Sequence, residues 1–222
     1  ILRDGEGNLI EGTPSPNTPG SVCFVTGTLV TTDQGDIPVE ALKPGMMVLS
    51  KDRGFVPLRA IFEATIGRVQ LRWFPDVRPV FVPAGAIGNT RPLLLSPAHR
   101  ILISHPVAEM NFGAQEVLVS ARQMVGWAGV KVMLPDRPIG YLHLLFDNHE
   151  IIQTEGCWSE SLFLGDAAEN VIAQQAKWQV EQGLNLDALY HDNTACLVLK
   201  KFETVVLLSQ MKPIHPEISS VA

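Results

Sequence analysis

Ser21-Val22-Cys23-Phe24-Val25-Thr26-Gly27-Thr28-Leu29-Val30 is the stretch where this chain changes character. Before it, residues 1–21 are polar and broken. Within them, Glu11-Gly12-Thr13-Pro14-Ser15-Pro16-Asn17-Thr18-Pro19-Gly20 reads as a linker from an upstream region. After it, short apolar runs rich in β-branched residues begin. A lone cysteine is ordinarily a small buried apolar residue. A cysteine that opens a folded region is better explained if its thiol attacks the peptide bond just before it.

Working outward from Cys23, Phe24 to Thr32 is β-rich and is followed by a turn at Asp33-Gln34-Gly35-Asp36 and by Ile37-Pro38-Val39-Glu40, a hairpin with a glycine-containing loop. Leu42-Lys43-Pro44-Gly45 places Pro and Gly as a type II turn requires, before a strand over 46–50. Further strands are expected over 59–65, 69–74, 79–83, 93–95, 100–104, 115–120, 130–133, 141–146 and 150–154. Their shortness and their Gly, Pro, Asn and Asp punctuation indicate an all-β body. After residue 165, Asp166 and Glu169 form a capping box. Ala168, Ile172, Ala176 and Val180 recur every four residues up to Gly183, which predicts a helix. A further helical turn is expected near 185–190, then β-like runs over 196–202 and 204–209.

Composition excludes several functions. A net charge of -6 offers no basic stripe for nucleic acid. Phosphate-loop and dinucleotide fingerprints are absent. Three cysteines, Cys23, Cys157 and Cys196, are too few and too scattered for a zinc cluster or a disulfide scaffold. No cofactor or metal is therefore expected. No apolar run approaches the roughly 18–20 residues of a membrane helix. Ile1 is not an initiator methionine and no signal peptide is visible, so the sequence reads as part of a longer polypeptide whose compartment is unknown.

Three segments carry chemistry together. The first is Cys23-Phe24-Val25-Thr26-Gly27-Thr28, continuing into Asp36-Ile37-Pro38-Val39-Glu40-Ala41-Leu42-Lys43-Pro44-Gly45. The second is Leu95-Ser96-Pro97-Ala98-His99-Arg100-Ile101-Leu102, and the third is Asp147-Asn148-His149-Glu150-Ile151-Ile152-Gln153-Thr154-Glu155-Gly156-Cys157-Trp158-Ser159-Glu160. Together they resemble the Hint family, the fold shared by hedgehog autoprocessing domains and inteins. The likeness covers residues 22–165. Residues 166–222 resemble the tail that follows this domain in a bacterial subgroup.

The resemblance implies a mainly β, Hint-type fold with two comparable halves, extended by a C-terminal helix and strands. It also implies an N–S acyl shift, in which the thiol of Cys23 attacks the carbonyl of Val22 and makes Val22–Cys23 the scissile bond. By family position, His99 protonates or polarises the departing amide and the Ser96 hydroxyl hydrogen-bonds around it. His143 and His149 lie where members often place a helping Asp or His. Cys157 occupies a place similar to the second cysteine of hedgehog domains, and packing against Trp158 is its plainer role. His105, His191 and His215 read as surface or turn residues.

The third segment lacks the His-Asn pair with which inteins usually end, so complete splicing is not implied. The expected substrate is the chain's own upstream polypeptide, cut once in cis, with water or an external nucleophile as acyl acceptor. Two other readings stay open. One is a catalytically degenerate module with a structural or interaction role in a larger secreted or surface protein. The other is a cysteine hydrolase acting in trans, for which no orienting Asn or Asp is evident.

Overall fold

The computed structural model describes residues 22–163, 191 and 193–211. The chain opens with β1 (Phe24–Val25), β2 (Leu29–Thr32) and β3 (Gly35–Pro38), then β4 (Met47–Ser50), β5 (Gly54–Pro57) and β6 (Ala60–Ile66). A short helix, α1 (Arg68–Trp73), precedes β7 (Val80–Val82), β8 (Leu93–Leu95) and β9 (Arg100–Ser104). Helix α2 (Pro106–Phe112) leads to β10 (Glu116–Ser120), β11 (Lys131–Val132) and β12 (Ile139–Leu145). The hairpin β13 (Ile151–Thr154) and β14 (Cys157–Glu160) is followed by β15 (Leu197–Val198) and α3 (Lys201–Gln210). The body is mainly β, as the sequence predicts.

The strands form two sheets. One runs β11-β7-β8-β1-β12-β6; the other runs β15-β10-β9-β14-β13-β2-β4-β5, with β3 beside β2. The chain passes from one sheet to the other between β1 and β2. There the expected continuous strand over 24–32 breaks at Thr26-Gly27, because Gly27 takes a φ of 92° that other residues rarely adopt.

Strand alternation decides what is core. Phe24, Leu95, Leu142 and Leu144 of the smaller sheet share one buried cluster with Val30, Val48, Ile101, Val117 and Ile152 of the larger. The alternate residues of the smaller sheet point the other way. Cys23, Val25, Ile139 and Tyr141 form a second cluster with Ile66 and with Leu71 of α1. Helix α1 thus covers the face of the smaller sheet that carries Cys23.

Several local expectations are corrected. The strand expected over 69–74 is helix α1, with Leu71 as its buried residue. Its ends are satisfied by side chains: Gly67 N–H donates to Gln70 Oε1 at 2.7 Å, and Arg78 donates to the carbonyls of Leu71 and Arg72. The β-like run over 204–209 is also helical. Thr204, Leu207 and Leu208 are its buried positions, a helical spacing that three consecutive β-branched residues, Thr204, Val205 and Val206, disguise. The run over 196–202 is strand only at Leu197–Val198.

Helix α2 and strand β5 went unpredicted. Pro106 starts α2 while Val107 N–H donates to His105 Nδ1, and Gly113, at a φ of 70°, ends it. His105 is a capping residue, in keeping with a turn role. His191, expected at the surface, is instead buried, with Nε2 3.3 Å from the Phe146 carbonyl. The predicted helix over 166–183, the turn near 185–190 and His215 lie outside the described residues. Among the described residues, no helix is long and apolar enough to cross a membrane.

Candidate functional site

Strand β1 lies between β8 and β12, so residues flanking all three converge at its start. Register makes the convergence specific. Phe24 pairs with Leu95 on one side and Leu142 on the other, which sets Cys23 beside Ser96 and across from His143. Cys23 N–H donates to Ser96 Oγ at 2.9 Å, and Ser96 N–H donates to the Cys23 carbonyl at 3.0 Å. On the other side, Cys23 Sγ lies 3.2 Å from His143 Nε2 and 3.7 Å from Nδ1. Val22, Cys23, Ser96, His99 and His143 are all buried.

Burial sets the charge state of both histidines. Desolvation holds the His143 pKa down to about 4, with hydrogen bonding to the Val22 backbone pulling the other way. Desolvation, reinforced by the neighbouring His143, holds His99 down to about 3. Both imidazoles are therefore neutral at neutral pH. A neutral imidazole against a thiol can accept its proton.

His99 is held differently from His143. Its ring meets Phe24 edge-on, with centroids 4.3 Å apart, and among the described residues neither ring nitrogen has a hydrogen-bond partner. The Cys23 backbone favours the protonated form without reaching hydrogen-bond geometry. The main chain fixes His99 instead: its N–H donates to the Ser96 carbonyl at 3.1 Å, and its carbonyl accepts from Ala121 N–H at 2.8 Å. The turn Ser96-Pro97-Ala98-His99 thus carries both Ser96 and His99 to β1.

The other two expected residues sit in the larger sheet's closing hairpin region. His149 Nδ1 accepts from Ala195 N–H at 2.9 Å, and its Nε2 lies 3.2 Å from Glu160 Oε2, off the angle of a hydrogen bond. Cys157 donates to the Thr154 carbonyl at 3.1 Å, and burial pushes its thiol up to about 12. Such a thiol is protonated and a poor nucleophile.

Sequence reading missed Tyr141. It lies two residues before His143 on the same face of β12, in the cluster that holds Cys23, and its hydroxyl donates to the Val77 carbonyl at 2.9 Å. Burial, aided by the charge of a Cys23 thiolate, raises its pKa. The signal was the alternation Tyr141-Leu142-His143, a strand presenting two polar-tipped rings on one side. No group of His, Cys, Asp or Glu suited to a metal ion occurs among the described residues.

Residues 22–166 match the family described as Hint domain, which spans more than half of the chain. Among solved structures, the solution structure of a bacterial intein-like domain from Clostridium thermocellum is similar at 12% identity and a TM-score of 0.46, covering 64% of this chain and 100% of that one. The crystal structure of the gp41-1 intein gives 10% identity, a TM-score of 0.43, and coverage of 63% and 98%. A DnaB intein from Synechocystis sp. PCC 6803 gives 8%, 0.40, 64% and 100%. No curated protein matches the chain.

Proposed function

The chain belongs to the Hint domain family, whose members process themselves, and from that premise we propose that it carries out an N–S acyl shift at Val22–Cys23 and releases the segment upstream of it. The single observation that carries this reading is the pair of contacts at Cys23. Its amide N–H is bonded to Ser96 Oγ at 2.9 Å while its thiol faces His143 Nε2 at 3.2 Å. Nucleophile, base and leaving nitrogen are thereby held together before reaction.

The steps follow from these positions. Neutral His143 takes the thiol proton, and Cys23 Sγ bonds to the carbonyl carbon of Val22. The tetrahedral intermediate then collapses with cleavage of the bond between that carbon and Cys23 N. The proton taken from the thiol ends on the leaving nitrogen: the His143 imidazolium passes it on through His99, which by its family position donates to the amide and is neutral again afterwards. An imidazolium with a pKa near 3 or 4, as burial sets for His99 and His143, is a strong acid toward an amine. The Ser96 hydroxyl orients the amide and stays with the new amine. The product is a Val22 thioester on Cys23 with a free α-amine.

Water or another nucleophile then attacks the thioester carbonyl, releasing the upstream segment and restoring the thiol. His149 and Cys157 contact other partners, and no step is assigned to them. Cys23 is 2% exposed, which favours a bond in its own chain over an incoming peptide and places the trans hydrolase last. The missing His-Asn end still leaves a non-catalytic module as the second reading.

Intact-mass spectrometry of the chain, with and without hydroxylamine, tests the proposal. The expected result is scission between Val22 and Cys23, accelerated by hydroxylamine and abolished in Cys23→Ala. A chain that stays whole under hydroxylamine at all pH values overturns it in favour of the non-catalytic module.

A further inference from the structure

Glu160 is fully buried at the end of β14, and both of its carboxylate oxygens are engaged. Oε1 accepts the backbone N–H of Arg100 at 2.9 Å, and Oε2 accepts from Arg100 Nη1 at 3.0 Å. Oε2 also faces His149 Nε2 at 3.2 Å. His149 Nδ1 in turn accepts the N–H of Ala195, in the segment that leads into β15 and α3. A buried carboxylate is costly unless its charge is paired and its oxygens are bonded. This one meets that condition through the residue that immediately follows His99.

The position matters because, among the described residues, no hydrogen bond to the His99 ring aims it. Packing on Phe24 and the path of the main chain set its direction, and Glu160 grips that main chain one residue away, by backbone and guanidinium together. We infer that Glu160 is a positioning residue for His99, holding the imidazole toward the scissile amide and tying the reaction to the closing hairpin and the Ala195 segment. The inference rests on the acyl-shift reading. Glu160 touches no reacting atom and acts only through Arg100. An imidazole displaced by a fraction of an ångström protonates the leaving nitrogen poorly, and such misplacement costs about tenfold or more in rate.

The test compares Glu160→Gln with Glu150→Gln in the full chain. Glu150 is a second buried carboxylate of the same hairpin region, bonded to Ser50 and Arg53 rather than to Arg100. Glu160→Gln keeps an acceptor for the Arg100 N–H and loses the charge. The expected outcome is cleavage slowed about tenfold or more in Glu160→Gln, with the alkaline limb of its pH–rate profile displaced and the acid limb set by His143 unmoved. Glu150→Gln is expected to retain its rate at a similar loss of Tm. Equal slowing in both variants, or in neither, overturns the inference. If the unaltered chain does not cleave, the acyl-shift reading fails by itself, and the His99 ring signals in nitrogen-15 NMR decide the positioning role. Signals that move in Glu160→Gln and stay in Glu150→Gln support it; signals unmoved in Glu160→Gln overturn it.

Discussion

His143 and His149 are both buried and lie six positions apart in the sequence, yet they meet opposite surroundings. His143 ends up on the smaller sheet, 3.2 Å from a thiol and close to the Val22 backbone. His149 belongs to the larger sheet's side, between the Glu160 carboxylate and the N–H of Ala195. The first imidazole is neutral beside a group that has a proton to give. The second has one nitrogen occupied by a backbone donor and the other facing a carboxylate that also binds Arg100. Burial alone therefore does not mark a reactive histidine; the kind of group opposite its ring nitrogens does.

The largest effect that would sharpen this contrast is at His143. Removing the proposed base in His143→Ala is expected to slow thioester formation by about 10²–10⁴, whereas His149→Ala should change it far less. Hydroxylamine-driven scission, followed by mass, gives both numbers, and equal losses would erase the distinction. Next comes Ser96→Ala, which leaves the buried N–H of Cys23 without its acceptor. A loss of about 1–3 kcal/mol is expected, read as a rate decrease of roughly tenfold or more in the same assay.

The pH dependence probes the same contrast. His143 and His99 are held at about 4 and about 3 in the folded chain, below the unfolded value of about 6.5. The unfolded chain therefore binds protons first as pH falls. Their contribution to stability is complete above pH 6.5 and is lost progressively down to the folded values. Tm should drop over that window, and His143→Gln should flatten the upper part of the drop. An unchanged slope would mean that His143 is not desolvated. The acid limb of cleavage should lie near pH 4 rather than 6.5, because His143 loses its basicity only there.

The smallest effect is at Cys157. With its thiol pushed up to about 12, it should resist alkylation by iodoacetamide in the folded chain, and Cys157→Ala should leave cleavage within about twofold. Fast alkylation or a slowed Cys157→Ala would bring the hedgehog-like cysteine back into the chemistry.

Much of the fold was legible in residue pattern. Punctuated apolar runs marked most of the strands, because a half-buried strand needs little more than alternation and a stop. The misreadings came where sterics and patterning disagreed. Val69–Phe74 has the composition of a strand but is capped at both ends by Gln70 and Arg78. Thr204–Ser209 is rich in β-branched residues, yet its buried positions follow a helical spacing. Side-chain caps and tertiary burial outweigh propensity in such short segments.

The candidate site divides in the same way. Cys23, Ser96 and His99 were readable as types, because an acyl shift needs a thiol, a hydrogen-bonding hydroxyl and an imidazole. The sequence offered His143 and His149 as equals. Only the register Phe24↔Leu142 separates them, since β pairing sets His143 across from Cys23 and carries His149 beyond the end of β12 to the other sheet. The sequence by itself determined the family and carried the proposal of Val22–Cys23 as scissile bond and Cys23 as nucleophile, because those rest on residue identity and local order. Tertiary structure decided which histidine meets the thiol and that Glu160 grips the strand behind His99. Those depend on strand pairing and burial between residues far apart in the chain.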